Sequence, residues 1–238
     1  GITATRGNTT LIQGIETVIG SANADTIQFT GAGTLTIAAV EMIIGANGAD
    51  TVQFLSGTAT TATIESIETL VGGDAANVIS ASQTAGSTLN VDMLGTLVGA
   101  STFDDVVILQ SAATALTLKD IETIIGSAYQ DVVQLAANTD PAKQTLVSGV
   151  EALIGSGHSA VLADNAGNTI LVSGLSTLVG GSGLDVITLH SNGNTTVVSN
   201  VETVIGGSPI GVAGGRAAPV AFELRRDGAP VNPLQSLR

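Results

Sequence analysis

Aspartates follow glycines at a fixed distance in several parts of this sequence. Asp25 lies five residues after Gly20, and Asp50 lies five residues after Gly45. Carboxylate and turn carbonyl oxygens are the ligands that Ca²⁺ prefers in proteins. The spacing therefore predicts Ca²⁺ as the cofactor and six aspartates as its ligands, namely Asp25, Asp50, Asp104, Asp105, Asp131 and Asp185.

These aspartates would need acidic partners on neighbouring loops. Asp25 with Asp50, and Asp104 or Asp105 with Asp131, are the pairs for which both loops carry the acid. Carboxylates a few ångströms apart repel each other unless a cation joins them. The alternative is that each aspartate forms an Asx-turn or accepts hydrogen bonds from backbone N–H groups at a corner of the chain.

A glutamate recurs at a second fixed position, four residues before the glycine. The position holds Glu16, Glu41, Glu68, Glu122, Glu151 and Glu202. Gly95 and Ser176 replace it in two copies, which argues against a continuous row of metal ligands. We expect these carboxylates to be solvated, or to bond the backbone at a corner and disfavour wrong strand registers.

Both positions belong to an internal repeat. The segment IETVIG at residues 15–20 returns, with changes, in eight copies whose last residues are Gly20, Gly45, Gly72, Gly99, Gly126, Gly155, Gly180 and Gly206. These glycines are 25 to 29 residues apart. A fixed period in this range is typical of repeat architectures, in which stacked units share one continuous core.

Each repeat contains three short apolar segments. Residues 15–19 form the first, and in the segments 26–29 and 34–37 apolar side chains alternate with polar ones. Alternation over four or five residues between Gly, Asn, Asp and Ser predicts strands. The sequence predicts an all-β fold, a right-handed parallel β-solenoid resembling a β-helix or β-roll, with about eight coils of roughly 26 residues and three short strands each.

The composition agrees with a β-solenoid and excludes several classes of function. Hydrophobic residues make up 44% of the 238 residues, with no Trp, one Tyr and four Phe, and 30 glycines supply turns. The net charge of −13 disfavours binding to nucleic acid. No apolar run is long enough to span a membrane, and the absence of cysteine excludes disulfides.

The repeat fades towards the C-terminus. We expect residues 1–210 to form the solenoid and residues 211–238 to be a tail that acts as a cap, a linker or a strand donated to a neighbour. Stacked coils expose unpaired backbone at their ends, so we expect the partners to be further repeats of the same protein or a second copy stacked end to end.

Catalysis has little support in the sequence. Asp104 and Asp105 are the adjacent acids in a loop, and Lys119 and Lys143 are the nearest bases in sequence. Some β-helices process polysaccharides with clustered acids, so carbohydrate stays open as a ligand. His158 and His190 are isolated, nothing in the sequence pattern places an activated nucleophile against either ring, and we predict that this segment is not an enzyme.

One loop carries a fuller motif. Residues 180–188, GGSGLDVIT, fit the nonapeptide G-G-x-G-x-D-x-U-x. In this loop and in its weaker copies the chain resembles the hemolysin-type calcium-binding (RTX) repeats of secreted bacterial proteins. The aspartate position, counted forward from the glycine, holds Asn77, Ala160 and Gly211 in three copies, and the unit occurs once per repeat instead of in tandem.

The resemblance implies export to the cell exterior, a parallel β-roll or related solenoid, and Ca²⁺ between loops. We therefore expect a non-enzymatic structural repeat segment of a secreted or cell-surface bacterial protein, such as an adhesin, surface-layer or filament subunit. The alternatives are a calcium-dependent folding and secretion module of a larger secreted enzyme, and a β-helix that binds or processes carbohydrate.

Overall fold

The computed structural model describes residues 7–57, 59–73, 77–82, 85–111, 116–163, 167–190 and 196–206, and two short strands at 224–226 and 229–231. These residues form an all-β solenoid of parallel strands, as predicted. They contain no helix, and so no helix long and apolar enough to cross a membrane.

The strands are short and follow one another at regular intervals. The first half of the solenoid contains β1 (Thr9–Ile12), β2 (Thr17–Ile19), β3 (Thr26–Phe29), β4 (Thr34–Ala38), β5 (Met42–Ile44), β6 (Thr51–Phe54), β7 (Thr61–Glu65), β8 (Thr69–Val71), β9 (Val78–Ala81), β10 (Thr88–Asp92) and β11 (Thr96–Val98). The second half contains β12 (Val106–Leu109), β13 (Leu116–Lys119), β14 (Thr123–Ile125), β15 (Val132–Leu135), β16 (Thr145–Ser148), β17 (Ala152–Leu162), β18 (Thr169–Val179), β19 (Val186–Leu189), β20 (Val197–Ser199) and β21 (Thr203–Ile205).

Each strand pairs with the next but one in sequence, which creates two faces. Face 1 consists of the odd strands β1 to β15, the first halves of β17 and β18, and then β19 and β21. Face 2 consists of the even strands β2 to β16, the second halves of β17 and β18, and then β20. β17 and β18 run through the corner from face 1 to face 2 without interruption.

The predicted coil of three strands and roughly 26 residues is therefore wrong. Thr9 pairs with Thr26, and Thr34 with Thr51, so a turn takes 17 residues at these points and contains two strands. Three strands per repeat is correct, but a repeat makes one and a half turns. Twelve strand segments stack on face 1 and eleven on face 2, which at two strands per turn gives about eleven turns instead of eight.

Successive copies of the repeat consequently alternate between the faces. Val18, Leu70 and Ile124 lie on face 2, whereas Ile43 and Leu97 lie on face 1. The apolar residues at this position of the repeat therefore form two stacks, one on each face. At about 4.8 Å per turn the stack is about 50 Å long.

The core lies between the two faces. In β3 and β4, Ile27, Phe29, Leu35 and Ile37 point inwards and are buried, while the residues between them are half-buried or exposed. The alternation recurs along the rod, so burial of aliphatic side chains between the faces is the main stabilising term.

Every copy of the repeat has a left-handed residue two positions before the glutamate position. These residues are Gly14, Ala39, Ser66, Met93, Asp120, Gly149, Gly174 and Asn200, with φ between 50° and 66°. A single residue with positive φ reverses the chain direction sharply, which suits a turn with only two strands.

The tail contains one described element outside the solenoid. β22 (Leu224–Arg226) and β23 (Ala229–Val231) pair with each other in antiparallel fashion and form a separate two-stranded sheet. The rest of residues 207–238 lies outside the described residues, and the predicted roles of the tail stay predictions.

Candidate functional site

The repeated aspartates lie at the corners of the solenoid, immediately before a strand, and Asp50 shows their geometry. Its Oδ2 accepts a hydrogen bond from the backbone N–H of Ala46 at 2.7 Å, within its own loop. Its Oδ1 accepts one from the backbone N–H of Gly33 at 2.9 Å, on the preceding turn of the same face. The side chain is fully buried, so the two N–H groups take the place of water around its charge.

The same two acceptor contacts recur in three other copies. The donors are Ser21 and Asn8 for Asp25, Ala100 and Ser87 for Asp105, and Gly181 and Asn168 for Asp185. Asp131 accepts the loop contact from the backbone N–H of Ser127 at 2.6 Å. The alternative interpretation of these aspartates, as acceptors of backbone N–H groups at corners, is thus what the structure contains.

The glutamates continue each contact into the next turn. Oε2 of Glu68 accepts a hydrogen bond from the backbone N–H of Asp50 at 2.7 Å. Equivalent bonds, of 2.7 to 2.8 Å, join Asp25 to Glu41, Asp105 to Glu122, Asp131 to Glu151 and Asp185 to Glu202. In four of these pairs the aspartate and its glutamate therefore tie three consecutive strands of one face together at a corner. Asp131 and Glu151 form the fifth pair, and we call the five pairs the carboxylate ladder.

Where one acid of a pair is absent, the other is absent too. Asn77 replaces the aspartate whose partner position is Gly95, and its Oδ1 still accepts the N–H of Thr60 at 2.9 Å. In the sixth copy the aspartate position is His158, not Ala160 as predicted, because the loop after Gly155 is two residues shorter. Counting back from the buried positions of the strand aligns His158 with Asp131.

The structure does not bring the predicted calcium pairs together. Asp25 precedes a strand of face 1 and Asp50 a strand of face 2, so they lie at opposite corners, and the same holds for Asp105 and Asp131. On one face, successive aspartate positions are three strands apart, about 14 Å. Among the described residues no group of three or more His, Cys, Asp or Glu side chains could hold a metal ion. Binding of Ca²⁺ stays a prediction.

Two aspartates of the carboxylate ladder have shifted pKa values, and the shifts have different causes. Backbone hydrogen bonds from Ser21 and Asn8 lower the pKa of Asp25 below its usual value. Burial raises the pKa of Asp105, against the hydrogen bonds from Ala100 and Ser87, and the charge of Glu122 adds to the increase. Donors stabilise a carboxylate, whereas loss of water and a second negative charge destabilise it.

Lys143 neutralises one pair of the ladder. Its Nζ donates to Oε1 of Glu122 at 2.7 Å and to the carbonyl oxygen of Phe103 at 3.1 Å. Oδ1 of Asp104 lies 3.8 Å away, on a side chain that is 88% exposed. The hydrogen bond to Glu122 raises the pKa of Lys143. Of the groups that the sequence suggested for catalysis, Asp104 and Lys143 thus meet at one corner, where the closer partner of Lys143 is Glu122, whereas Lys119 pairs with Asp120.

The loop of residues 136–144, which contains Lys143, is the connection from β15 to β16, and we call it the strap. Asp120, in the preceding turn, holds it near its start. Backbone N–H and Oγ1 of Thr139 donate to the Asp120 carboxylate at 2.5 and 2.7 Å, and Oδ1 of Asn138 accepts from the Asp120 backbone N–H at 2.9 Å. Nζ of Lys119 lies 3.5 Å from Asp120 and pairs with its charge. These bonds outweigh burial and lower the pKa of Asp120.

His158 completes a polar cluster that sequence reasoning missed. The ring is 6% exposed, and its Nε2 lies 2.8 Å from Oγ1 of Thr145 and 3.5 Å from Nδ2 of Asn138. Burial lowers the pKa of His158, although the charge of Asp120 opposes the decrease. The available signal was the strand pattern: buried positions alternate back from Leu162 to His158, which makes the histidine an inward-facing corner residue.

Comparison of the chain with models of known protein families, with curated proteins and with solved structures finds no match in any of the three.

Proposed function

We propose that this chain is a non-enzymatic structural module of a secreted or cell-surface bacterial protein, built to extend a rod by stacking on further repeats. The observation that carries the proposal is the carboxylate ladder. Its buried aspartates direct both carboxylate oxygens at backbone N–H groups of the solenoid. Groups used in this way hold turns together and are not available to attack or bind a substrate.

The order of the strands supports stacking. Within the rod, the backbone carbonyl oxygen of the glutamate before one strand accepts a hydrogen bond from the backbone N–H of the third residue of the strand stacked on it in the next turn. The carbonyl oxygen of Glu41 accepts from the N–H of Thr63 at 2.8 Å, and that of Glu68 accepts from the N–H of Asn90 at 2.8 Å. Face 1 ends, among the described residues, with the strand that follows Glu202 and begins with β1, whose third residue is Leu11. A second set of repeats could therefore place the N–H of Leu11 against the carbonyl oxygen of Glu202.

The exposed edge of β1 has the required direction. The carbonyl oxygens of Asn8 and Ile12 bond to β3, so the backbone groups of Leu11 point away from β3, and the side chain of Leu11 is 64% exposed. On face 2, the order of strands in the repeat requires one more strand after β20 before the β2 of a second set of repeats can stack there. The aspartate position of that strand is Gly211, outside the described residues.

Sedimentation velocity over a wide range of protein concentrations tests the stacking of copies. The wild type should form rods that lengthen with concentration. Leu11→Pro should abolish them, because proline removes the outward N–H while an edge strand tolerates the residue. Leu11→Ala keeps the N–H and serves as the control. A wild type that remains monomeric at all concentrations would contradict end-to-end stacking.

A calcium-dependent folding and secretion module is the second candidate. The complete nonapeptide motif at residues 180–188 favours it. If Ca²⁺ binds the folded state alone, the melting temperature should rise with millimolar Ca²⁺ and fall with a chelator. Asp185→Asn should remove the calcium effect. An unchanged melting temperature would exclude this candidate and leave the structural proposal intact.

A further inference from the structure

His158 touches both ends of the strap. Asn138 stands near the start of this loop, and Thr145 is the first residue after it. The Nε2 atom of His158 lies 2.8 Å from Oγ1 of Thr145 and 3.5 Å from Nδ2 of Asn138. The ring therefore closes the base of the strap, while Asp120 holds the strap near its start and Lys143 holds it near its far end.

The hydrogen bonds around Thr145 define the state of the ring. Oγ1 of Thr145 donates its hydrogen to the carbonyl oxygen of Ile121 at 2.8 Å. The same oxygen must then accept from His158, so Nε2 carries a hydrogen and donates it. Because Nδ2 of Asn138 is also a donor, its 3.5 Å approach to Nε2 is a packing contact and not a hydrogen bond. A neutral imidazole satisfies this arrangement. A second proton would have to reside on Nδ1 and would bring a full charge into a buried site.

Few charged groups face the ring. β16 and the strand β18, which pack on either side of His158, contain no charged residue. In the strap, Asn138 is neutral and Lys143 points to Glu122. The exposed Asp140 of the strap accepts a hydrogen bond from the backbone N–H of Ala142. Asp120 is the charged group that acts on the ring, but Thr139 and Lys119 already occupy its carboxylate. Each of the other described copies has an aspartate or asparagine at the position of His158, so among them this corner alone carries a histidine.

We propose that His158 is an acid-sensitive latch for the strap, which opens when its imidazole takes up a proton and leaves the buried site for water. The direction follows from linkage. Burial lowers the pKa of His158 in the folded state. The stabilisation by the neutral ring is complete above its ordinary pKa of 6.5 and is lost as the pH falls from there towards the lower pKa of the folded state. The strap should therefore loosen at mildly acidic pH.

Nuclear magnetic resonance on the whole chain tests the latch. The chain has two histidines, so His190→Gln assigns the ring signals. We expect the His158 ring to titrate below 6.5 and the exchange protection of the strap amides, corrected for intrinsic rates, to fall over the same pH range. Protection should fall about tenfold for each pH unit between the ordinary pKa and the pKa of the folded state.

Two variants separate the latch from general acid effects. His158→Gln keeps a side-chain N–H for Thr145 but cannot titrate, so the acid-dependent loss of protection should disappear. His190→Gln should retain it. A His158 ring that titrates at 6.5 or above, or a strap that still loosens in His158→Gln, would overturn the proposal. If His158→Gln does not fold, the loss of protection in His190→Gln must level off at the pKa measured for its His158 ring, and a loss that continues below that pKa would refute the latch.

Discussion

Gly45 and Ser66 meet at the corner where one repeat ends and the next begins. A Cβ atom on Gly45 would lie 1.7 Å from the carbonyl oxygen of Ser66, and Ser66 itself has a φ of 53°. The left-handed residue turns its carbonyl group into the space that the missing side chain leaves. The same relationship joins Gly20 to Ala39 and Gly180 to Asn200, at 1.6 and 1.8 Å.

Gly45→Ala should therefore destabilise the solenoid severely. The methyl group would overlap backbone, which cannot move without breaking the stack, and overpacking of this kind costs about 3 kcal/mol. Chemical denaturation measures the loss. Gly33→Ala is the matched control, because the nearest atom to its added methyl group would be 3.8 Å away and its φ is not positive. Equal losses in the two variants would contradict the steric argument.

Met93→Gly should stabilise the chain. Met93 has a φ of 50° and its side chain is 61% exposed, so the residue bears a strained backbone with little packing to compensate. Removal of the strain gains about 1 to 2 kcal/mol, and the added freedom of the unfolded chain offsets part of it. A gain of about 1 kcal/mol is expected in urea unfolding.

Gly14 provides the reverse experiment at the equivalent position of the first repeat. Its φ is 61°, and an added Cβ would meet no atom within 4 Å. Gly14→Ala should therefore lose about 1 kcal/mol through backbone strain alone. If Gly14→Ala is neutral while Met93→Gly stabilises, packing and not φ must explain the effect at Met93.

Asp50→Ala should cost about 2 to 4 kcal/mol, because it leaves the buried N–H groups of Gly33 and Ala46 without their acceptor. Asp50→Asn keeps one acceptor oxygen, as Asn77 does, and should cost less. Asp104→Ala is the control, since its side chain is 88% exposed and its loss should stay within about 0.5 kcal/mol. Thermal melts in a chelator isolate these contacts from any effect of calcium.

The pKa values of Asp25 and Asp105 should lie on opposite sides of the ordinary value of 3.8. The lowered pKa of Asp25 means that its contribution to stability is present above 3.8 and is lost as the pH falls through the folded-state pKa. The raised pKa of Asp105 has the opposite sign, and its contribution is present below 3.8 and is lost as the pH rises through the folded-state pKa. Carbon-13 titration of the side-chain carboxyls measures both. A common value for the two residues would show that burial and hydrogen bonding do not differ between these corners.

The strands of this fold could be predicted from the sequence, but their arrangement in a turn could not. The alternation in Thr26–Phe29 and Thr34–Ala38 marks inward and outward positions directly. The number of strands in a turn depends on how sharply each corner reverses the chain, and that depends on left-handed residues. Ala39, Ser66 and Met93 share no side-chain property that predicts a positive φ. The repeat period is therefore equally compatible with one turn that contains three strands and with one and a half turns that contain two strands each.

The same limit applies to the site. The spacing from glycine to aspartate identified the corner acids Asp25 and Asp50 but not the residues beside them. Residues that are neighbours on one face are one turn apart in sequence, and a turn is shorter than a repeat. The fixed offset also misplaced the sixth copy, where a shorter loop moves His158 into the aspartate position. Lys143 and Glu122 are 21 residues apart, and only the path of the strap shows that they meet.

A repeat of one and a half turns gives the rod a parity. Insertion or deletion of a single copy would exchange the two faces for every strand beyond it, so that side chains formerly on one flank of the molecule would appear on the other. Two copies restore the original orientation. A protein built on this plan can vary its length without scrambling its surfaces only by adding or losing repeats in pairs.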